Sequence, residues 1–368
     1  MTYLSNLALL QFKNHARFQL SLGTGIYLIA GKNGVGKTNL LDAVYYLCSC
    51  KSYFQATDTA NIQHNRDFFR LDGSFYDPAD PHAAADSPDA ITIKCTPRKK
   101  EISRNGQTYD KLSAHVGLLP VVLITPDDTE LIKNGSEERR KLMDMSLSQL
   151  DGVYLQTLIR YNKLLLQRNA QLKHFAELGY FDAELLATYD AQMATLGQLL
   201  YEKRRNLTAQ ITPLLQQYYK RLSAGRELAT CTYKSALSHA PYATILQQRR
   251  NNDREAQRTT EGIHRDDWVF DLDGYALKKF GSQGQQKSYL IALKLALFCL
   301  LQHHKNTAPI LLLDDIFDKL DPQRIAALVQ IITAPPFGQV LMTDTQTERV
   351  AQILQQLSAA FQVVSLGE

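Results

Sequence analysis

Long hydrophobic runs, an excess of charge of one sign and closely paired cysteines are all missing from this sequence. The longest apolar run, from Tyr289 to Leu301, is interrupted by Lys294 and falls short of the 18 or more apolar residues of a membrane helix. The 41 basic and 37 acidic residues leave a net charge of only +4, so total charge gives no argument for a nucleic-acid partner. We therefore expect no contact with a membrane, and any DNA-binding surface must come from local clusters of charge.

The cysteines and the N-terminus bear on the cellular compartment. The five cysteines are spread widely and form no CxxC pair, a pattern that suits neither a zinc knuckle nor a redox pair. The first residues lack a basic segment followed by an apolar one, which a secretory signal would have. These features predict reduced thiols in a cytoplasmic protein.

Length and hydrophobic pattern indicate an α/β protein with an insertion. The 368 residues are 45% hydrophobic and 21% charged, which excludes a disordered or fibrous chain and fits either two to three domains or one large domain with an insertion. A helix is predicted from Lys37 to about Cys50, and Asn105-Gly106 is typical of a hairpin turn. Short apolar runs predict buried strands at 26–30, 121–124, 310–313 and 340–342.

A long helical region interrupts these strands. No proline occurs between Pro126 and Pro213, and apolar residues from 185 to 222 recur at helical spacing. We expect Pro213 to kink or restart the long helix and 77–90 to be an exposed loop. The predicted division is an α/β head in two parts, 1–126 and 261–368, with an inserted, mainly helical arm at 127–260.

A phosphate-binding loop is the strongest motif. It matches G-x-x-x-x-G-K-[ST], with a predicted strand before it and a predicted helix after it. Backbone N–H groups of such a loop bind phosphates, the lysine reaches the β- and γ-phosphates, and the threonine hydroxyl holds Mg²⁺. The alternative is a chance match to a glycine-rich turn. The predicted nucleotide-binding residues are Gly31, Lys32, Asn33, Gly34, Val35, Gly36, Lys37 and Thr38.

Two acids end one of the predicted buried strands. Asp314 and Asp315 follow four apolar residues, and a buried strand tolerates carboxylates poorly unless they have a function. We expect Asp314, together with Thr38, to hold Mg²⁺. Asp315 and Lys37 are the predicted catalytic residues: Asp315 orients or deprotonates the attacking water, and Lys37 reaches the β- and γ-phosphates. The alternative is a solvated turn or a helix cap.

A second small-residue segment opens another helix. Ser282, Gly284 and Gln285 precede an apolar helix that begins near Ser288, and the start of a helix binds anions. One nucleotide has little use for two such sites from one chain, so the second site is expected to serve the nucleotide of a partner subunit. The alternative is an ordinary helix N-terminus with a flexible loop.

The order of these motifs resembles the ABC-type ATPases of the SMC branch and, within that branch, the RecF family of bacterial recombinational repair. The combination of His-Arg-Asp-Asp with Ser-Gln-Gly-Gln-Gln is far more specific than the phosphate loop. The stretches that carry the resemblance are Gly31 to Asn39, Thr125-Pro126-Asp127-Asp128 followed by Arg139-Arg140, Gln167-Arg168-Asn169, His264-Arg265-Asp266-Asp267, Ser282 to Lys287, Leu313-Asp314-Asp315 and Asp318-Lys319-Leu320-Asp321.

The resemblance implies a weak, slow ATPase that uses ATP and Mg²⁺ and forms a homodimer around ATP. In that dimer Ser282 and Gly284 of one subunit meet the nucleotide held by Lys37 of the other. It also implies ATP-dependent binding to gapped or duplex DNA, and joint action with RecR and RecO to load RecA and so to feed the SOS response.

The sequence departs from the wider ABC pattern at four places. Gln283 replaces the first glycine of the signature, and Asp315 replaces a glutamate that is one methylene longer. Thr343-Asp344-Thr345-Gln346 stands where a switch histidine is usual, and Thr125-Pro126-Asp127-Asp128 lacks the usual glutamine. The last two departures leave the sensor of the γ-phosphate unassigned.

Basic residues cluster in part of the arm. Residues 176–202 contain five acids and no Lys or Arg, whereas 203–258 contain eleven basic residues and three acids. Basic side chains replace the counterions of DNA phosphates, and because no aromatic stacking platform is evident we expect contacts to the duplex backbone. The alternative is a solvated helix face. The predicted DNA-binding residues are Lys203, Arg204, Arg205, Arg249 and Arg250, with Lys99 and Lys100 as a second patch.

Two residues and two rival functions stay open at this point. His264 and Arg265 either couple to the nucleotide or the dimer interface, or form structural hydrogen bonds at the junction of head and arm. The rival to a DNA-repair ATPase is a nucleotide-gated protein-assembly module with little hydrolysis. A transporter ATPase subunit is disfavoured by the long inserted arm and the missing switch histidine.

Overall fold

The computed structural model describes residues 2–76, 88–225, 227–317, 320–345 and 347–367. Most of the predicted loop 77–90, the pair Asp318-Lys319 and Gln346 therefore lie outside the described residues. The strands, in chain order, are β1 (Tyr3–Phe12), β2 (His15–Ser21), β3 (Gly25–Ala30), β4 (Phe69–Tyr76), β5 (Asp89–Cys95), β6 (Lys100–Arg104), β7 (Gln107–Thr108), β8 (Val121–Ile124), β9 (Ala229–Lys234), β10 (Asp267–Leu272), β11 (Tyr275–Ala276), β12 (Ile310–Asp314), β13 (Gln339–Thr343) and β14 (Phe361–Ser365).

The helices confirm most of the periodicity found in the sequence. All five cysteines are free thiols, as expected. No helix in the described ranges is long and apolar enough to cross a membrane. The helices are α1 (Lys37–Ser49), α2 (Glu130–Lys133), α3 (Ser136–Leu150), α4 (Gly152–Leu178), α5 (Ala183–Leu222), α6 (Tyr242–Ala256), α7 (Leu277–Phe280), α8 (Gln283–Lys305), α9 (Pro322–Ile332) and α10 (Thr347–Gln356).

The chain divides into two compact units. The first consists of residues 1–129, 217–226 and 282–368, and the second of 130–216 and 227–281. The switch from the second unit back to the first thus falls at 281/282, whereas the predicted arm ended at 260. The predicted boundaries stay predictions, but in the structure 261–281 group with the helices because β10 pairs with β9.

The first unit is built from two sheets. One is a five-stranded parallel sheet in the order β14-β3-β13-β12-β8, and the other is a six-stranded antiparallel sheet in the order β2-β1-β4-β5-β6-β7. Helix α1 packs against strands of both sheets, because ten of its 13 residues are buried and leave no polar face. Strands β12 and β13 are buried on both faces, as the unbroken apolar runs at 310–313 and 340–342 predicted.

The second unit is mainly helical. It contains α2 to α4, most of α5, α6 and α7, together with the antiparallel sheet β11-β10-β9. One strand, β9, lies inside the predicted, mainly helical arm, and α5 continues through Pro213 to Leu222 without restarting there. A proline removes only its own N–H from the ladder, and burial of the apolar stripe on both sides of it holds the helix together.

Candidate functional site

The parallel sheet brings the separate motifs of the sequence to one edge. The phosphate loop follows the carboxyl end of β3, Asp314 ends β12 and Thr343 ends the strand between them, β13. The carboxyl ends of parallel strands lie at the same edge, which is where open α/β sheets bind ligands. Thr38 and Asp314, which are 276 positions apart in sequence, thereby become neighbours.

The phosphate loop is closed around its own lysine. The Nζ of Lys37 donates hydrogen bonds to the carbonyl oxygens of Gly31, at 2.6 Å, and Lys32, at 3.2 Å. Gly34 and Gly36 have positive φ angles of 82° and 108°, which only glycine adopts without strain. These two positions of the loop therefore require glycine.

Two residues that the sequence did not reveal support this loop from the turn between β1 and β2. Asn14 Nδ2 donates to the carbonyl of Val35 at 2.9 Å, and His15 Nε2 lies 3.0 Å from the carbonyl of Gly36. Because that carbonyl can only accept, Nε2 carries the proton, and burial lowers the pKa of His15. A Cβ added at Gly36 would come within 2.6 Å of both side chains, so a glycine is required there on packing grounds as well.

Thr38 and Asp314 form a pair of oxygen ligands. Thr38 Oγ1 lies 2.9 Å and 3.0 Å from the two carboxylate oxygens of Asp314, and Thr343 Oγ1 donates to the same carboxylate at 2.7 Å. Burial raises the pKa of Asp314, and the charges of Asp315 and Asp127 add to that rise. An oxygen-only pair with an under-compensated carboxylate fits Mg²⁺, which commonly binds one or two protein groups plus phosphates and water.

Among the described residues, the protein alone does not supply a full set of Mg²⁺ ligands at this place. Within the described ranges, no group of three or more His, Cys, Asp and Glu residues could hold a metal ion alone. The protein therefore offers Mg²⁺ two ligands beside the phosphate loop, and the remaining ligands must come from phosphate oxygens and water.

Asp315 is held in an unusual backbone conformation. Its φ is +45°, and its N–H lies 3.2 Å from the carbonyl and 3.0 Å from Oγ1 of Thr343. Its carboxylate accepts from the N–H of Thr345 at 3.3 Å, and the residue is half-buried. The left-handed conformation turns the chain at the end of β12, a strain typical of functional sites, and ties Asp315 to the segment where a switch histidine is usual.

The segment after β8 contains a buried ion pair in place of a glutamine. Asp128 lies 2.9 Å from Lys294 Nζ and accepts from the hydroxyl of Tyr53 at 2.6 Å. Lys294 also donates to the carbonyl of Leu123 at 2.8 Å. The lysine that interrupts the apolar run of α8 is thus a structural partner of Asp128, which is committed to the interior and does not sense a phosphate.

The predicted second anion segment is a well-capped helix start. The Ser282 side chain accepts from the Gln285 N–H at 3.3 Å, and the Gln285 side chain accepts from the Ser282 N–H at 2.7 Å. Ser282 is exposed and Gly284 is half-buried, with Arg324 over the place where a Cβ would be. These bonds are those of any capping box, so the role toward a partner subunit stays a prediction.

One predicted DNA-binding residue is corrected by its burial. Arg204 is 1% exposed and donates to Asp144 at 2.8 Å, to Asp266 at 2.9 Å and to the carbonyl of Ile263 at 2.6 Å. Its guanidinium has no open side for a phosphate. Leu200 and Leu207 lie on the same face of α5, four and three residues away, so the helical stripe itself passes through position 204.

The other predicted basic residues lie nearer the surface. Arg205 is exposed and lies over the Tyr201 ring, 5.7 Å from its centroid. Lys203 lies 2.8 Å from Asp151, Arg249 lies 3.6 Å from Glu261, and Arg250 lies 3.5 Å from Asp190. In the second patch, Lys99 lies 2.5 Å from Glu101 and Lys100 lies 2.7 Å from Asp58. Most of these charges are thus partly compensated by carboxylates.

His264 has the contacts of a structural residue. Its Nε2 donates to the carbonyl of Thr259 at 3.1 Å, so its Nδ1 accepts from the hydroxyl of Tyr161, also at 3.1 Å. Burial lowers the pKa of His264 to about 4. Of its motif, Asp266 binds Arg204, Asp267 lies 2.6 Å from Arg139, and Arg265 is exposed. The motif therefore serves chiefly to connect helices and strands of the second unit.

Sequence comparison gives matches over nearly the whole chain. The family model of the RecF/RecN/SMC N-terminal domain matches residues 3–365. The DNA replication and repair protein RecF of Flavobacterium johnsoniae is 40% identical over 365 residues, which cover 99% of this chain and 100% of that protein. The protein of the same name from Bacteroides thetaiotaomicron is 39% identical over 366 residues, covering 99% and 97% of the two chains.

Structural comparison agrees. A solved structure of the recombination mediator protein RecF of the RecFOR pathway with ATPrS has a TM-score of 0.85 and 26% identity, covering 95% of this chain and 94% of that one. The structure with ATP has a TM-score of 0.84 and 26% identity, covering 94% and 92%. An Smc head from Pyrococcus furiosus, at 0.57 and 16% identity over 100% and 94% of the chains, shares the fold alone. These likenesses confirm the expected α/β, ABC/SMC-type ATPase head with an inserted, mainly helical part.

Proposed function

The chain belongs to the RecF family of the RecF/RecN/SMC group, and on that premise we propose that it is an ATP-dependent DNA-binding protein of recombinational repair. ATP controls its binding to gapped or duplex DNA, and its ATPase activity is weak. The observation that supports this most is the pairing of Thr38 with Asp314 at the mouth of a phosphate loop. The lysine of that loop donates to two neutral carbonyl groups and has no carboxylate partner among the described residues.

Binding of ATP uses the loop from Gly31 to Thr38. Its backbone N–H groups and the N-terminus of α1 bind the phosphates, and Lys37 exchanges the carbonyls of Gly31 and Lys32 for the β- and γ-phosphate oxygens. Thr38 and Asp314 hold Mg²⁺, which neutralises charge that develops on the phosphates. Thr343 keeps the Asp314 carboxylate oriented toward Thr38.

Hydrolysis depends on Asp315. Its carboxylate orients the attacking water or accepts its proton, and the contacts of its backbone and carboxylate with Thr343 and Thr345 restrict where that carboxylate can point. Aspartate is one methylene shorter than glutamate, so the water is held less closely and turnover is slow.

Dimerisation and DNA binding complete the proposal. The exposed Ser282, with Gly284 and Gln285, contacts the nucleotide of a second copy of the chain, which makes the homodimer depend on ATP. With Arg204 removed from the set, Lys203, Arg205, Arg249 and Arg250 contact DNA phosphates. RecR and RecO are its partners at gaps in cytoplasmic DNA, with RecA loaded downstream. The solved RecF structures of the RecFOR pathway support this assignment of partners.

The test is fluorescence anisotropy of a labelled duplex titrated with the protein, with and without ATP and Mg²⁺. We expect the unaltered protein to bind the duplex tightly only with ATP. In the Lys37→Arg protein, ATP should no longer strengthen binding. Asp315→Asn should still bind ATP and DNA but turn over ATP more slowly. DNA binding that ignores ATP, or a Lys37→Arg protein with full DNA-stimulated turnover, would contradict the proposal in favour of a nucleotide-gated assembly module.

A further inference from the structure

Large aromatic side chains are exposed at two places in the second unit. One is the connection between α4 and α5, where Tyr180 is 59% exposed. The other is the segment 275–280, where Tyr275 and Phe280 are 64% and 61% exposed. Single exposed apolar residues are common, but two large rings that contact each other in solvent are not explained by the core.

The two rings of the second place form a built pair. Their centroids are 5.7 Å apart and their planes meet at 69°, an edge-to-face arrangement. Tyr275 pairs with Leu272 in the β10–β11 ladder, and the fully buried Leu277 anchors α7, the helix that ends with Phe280. The backbone is thus anchored from below while both side chains point outward, so little conformational entropy is lost when a flat ligand stacks on them.

Local charge distinguishes the two places. Around Tyr180 the charged residues of the sequence are acidic. Those from 175 to 202 are Glu177, Asp182, Glu184, Asp190 and Glu202. Beside Phe280 lie the exposed Lys278 and Lys279, and the Nζ of Lys279 is 5.2 Å from the Phe280 ring centroid.

These lysines are free to bind a phosphate. Neither forms an ion pair with a residue in the described part of the chain. Asp273, an acid in the turn of the same hairpin, accepts from the N–H of Leu228 at 2.7 Å. The segment therefore combines flat apolar rings with uncompensated positive charge. The charged residues along the chain around Tyr180 are acidic, and Arg254, which lies beside that place, is stacked over the Phe181 ring at 4.0 Å from its centroid.

We propose that Tyr275 and Phe280 form a stacking site for an unpaired base of DNA, with Lys278 and Lys279 on the adjacent phosphates. Aromatic rings beside cations are how proteins bind single-stranded nucleic acid, and paired bases inside a duplex cannot reach such rings. The site rests on the proposed function, and it deepens that function by naming the residues that contact the unpaired strand of a gap.

The experiment compares two DNAs in the presence of ATP and Mg²⁺. One is a blunt duplex, and the other is the same duplex with a short gap that carries 2-aminopurine in its unpaired strand. For the unaltered protein we expect tighter binding to the gapped DNA and a change in 2-aminopurine fluorescence as the base stacks. In Phe280→Ala and Tyr275→Ala the preference for the gap should fall about fivefold or more, while binding to the blunt duplex is unchanged.

Three further variants make the result decisive. Phe280→Trp should keep both the preference and the fluorescence change, because the ring is retained. Tyr180→Ala, which removes an equally exposed ring from the acidic place, should change neither. Lys279→Ala should weaken binding to gapped DNA and reduce the dependence of that binding on salt.

The outcomes separate this inference from the proposed function. If the unaltered protein does not bind the blunt duplex in an ATP-dependent way, both the proposed function and the stacking site are overturned. Normal duplex binding with an unchanged gap preference in Phe280→Ala would overturn the stacking site alone. The Phe280→Ala protein could instead dimerise less with ATP, while the dimers that still form keep their preference for gapped DNA. That result would overturn the stacking site and show that the rings contact a second copy of the chain.

Discussion

Lys37 in the first unit and Arg204 in the second are both buried cations, but their partners differ in kind. Lys37 is held by two backbone carbonyls of its own loop, which satisfy its N–H groups without cancelling its charge. Arg204 is held by the carboxylates of Asp144 and Asp266, which cancel it. A cation with neutral partners is available to an anionic ligand, whereas a cation with carboxylate partners belongs to the fold.

The second unit contains another buried cation that is paired with carboxylates. Arg168 is fully buried and lies 2.7 Å from both Asp190 and Asp253, and its Nη1 also donates to Thr259 at 2.9 Å. Removing one partner from such a pair leaves an uncompensated buried charge, which strongly destabilises the folded state. Replacing the whole pair with apolar residues changes the free energy of unfolding much less. Basic residues in this unit therefore have to be sorted by burial before any of them is assigned to DNA.

Substitution of Arg204 should give the largest effect that tests this comparison between Lys37 and Arg204. In Arg204→Ala, Asp266 would be left buried without its cation, and we expect the free energy of unfolding of the second unit to fall by about 3–5 kcal/mol. Urea unfolding followed by far-UV circular dichroism measures this. Arg205→Ala, at the next position on the exposed face, should change stability by no more than about 0.5 kcal/mol. An Arg204→Ala protein of normal stability that binds DNA poorly would break the comparison, because Arg204 would then act on a ligand.

A smaller effect concerns the pH dependence of the second unit. Burial lowers the pKa of His264 to about 4, so below its ordinary value of 6.5 the unfolded chain takes up a proton that the folded unit does not. Stability is therefore fully present above pH 6.5 and is lost as the pH falls toward 4, by about 1–2 kcal/mol at pH 5.

His264→Gln is the matched variant, because an amide can replace both hydrogen bonds without titrating. Its urea midpoint should fall less between pH 7 and pH 5 than that of the unaltered protein. Equal slopes for the two proteins would mean that His264 titrates normally in the folded unit.

The smallest effect separates stability from function at the nucleotide site. Burial raises the pKa of Asp314, so its charged form is disfavoured in the folded state and costs stability at neutral pH. Asp314→Asn removes that cost and keeps an acceptor for Thr38 and Thr343, so we expect about 1 kcal/mol more stability without nucleotide.

The same variant should lose Mg²⁺-dependent ATP binding, since an amide is a poor ligand for Mg²⁺ in place of a carboxylate. Thermal unfolding without nucleotide and calorimetric titration with ATP and Mg²⁺ measure the two effects. A destabilised Asp314→Asn protein would show that the carboxylate is part of the fold, as the carboxylates around Arg204 are.

Local pattern was enough to predict the elements of the proposed nucleotide site. The phosphate loop, α1 and the acidic end of β12 each follow from a few adjacent residues, and the structure has all three. Asn14 and His15 were missed because no local motif marks a turn that supports a loop 20 residues away. The Tyr275–Phe280 pair was missed because the two rings are separated by five positions in a strand–turn–helix segment, where spacing alone does not bring side chains together.

The helical unit was harder to interpret because charge alone does not tell which face of a helix a residue occupies. The stripe of apolar residues in α5 leaves a gap of seven between Leu200 and Leu207, and Arg204 fills it. That gap was the available signal that this arginine is internal.

The sequence by itself determined the α/β class, the phosphate loop and the family, since these depend on short-range spacing and on the order of motifs along the chain. Only the tertiary structure decided which cations are free, because the partner of each buried charge comes from a distant segment: Asp266 for Arg204, 62 positions away, and Asp128 for Lys294. Burial raises the cost of an unpaired charge, so such partners are obligatory, but nothing in the spacing of residues along the chain identifies them.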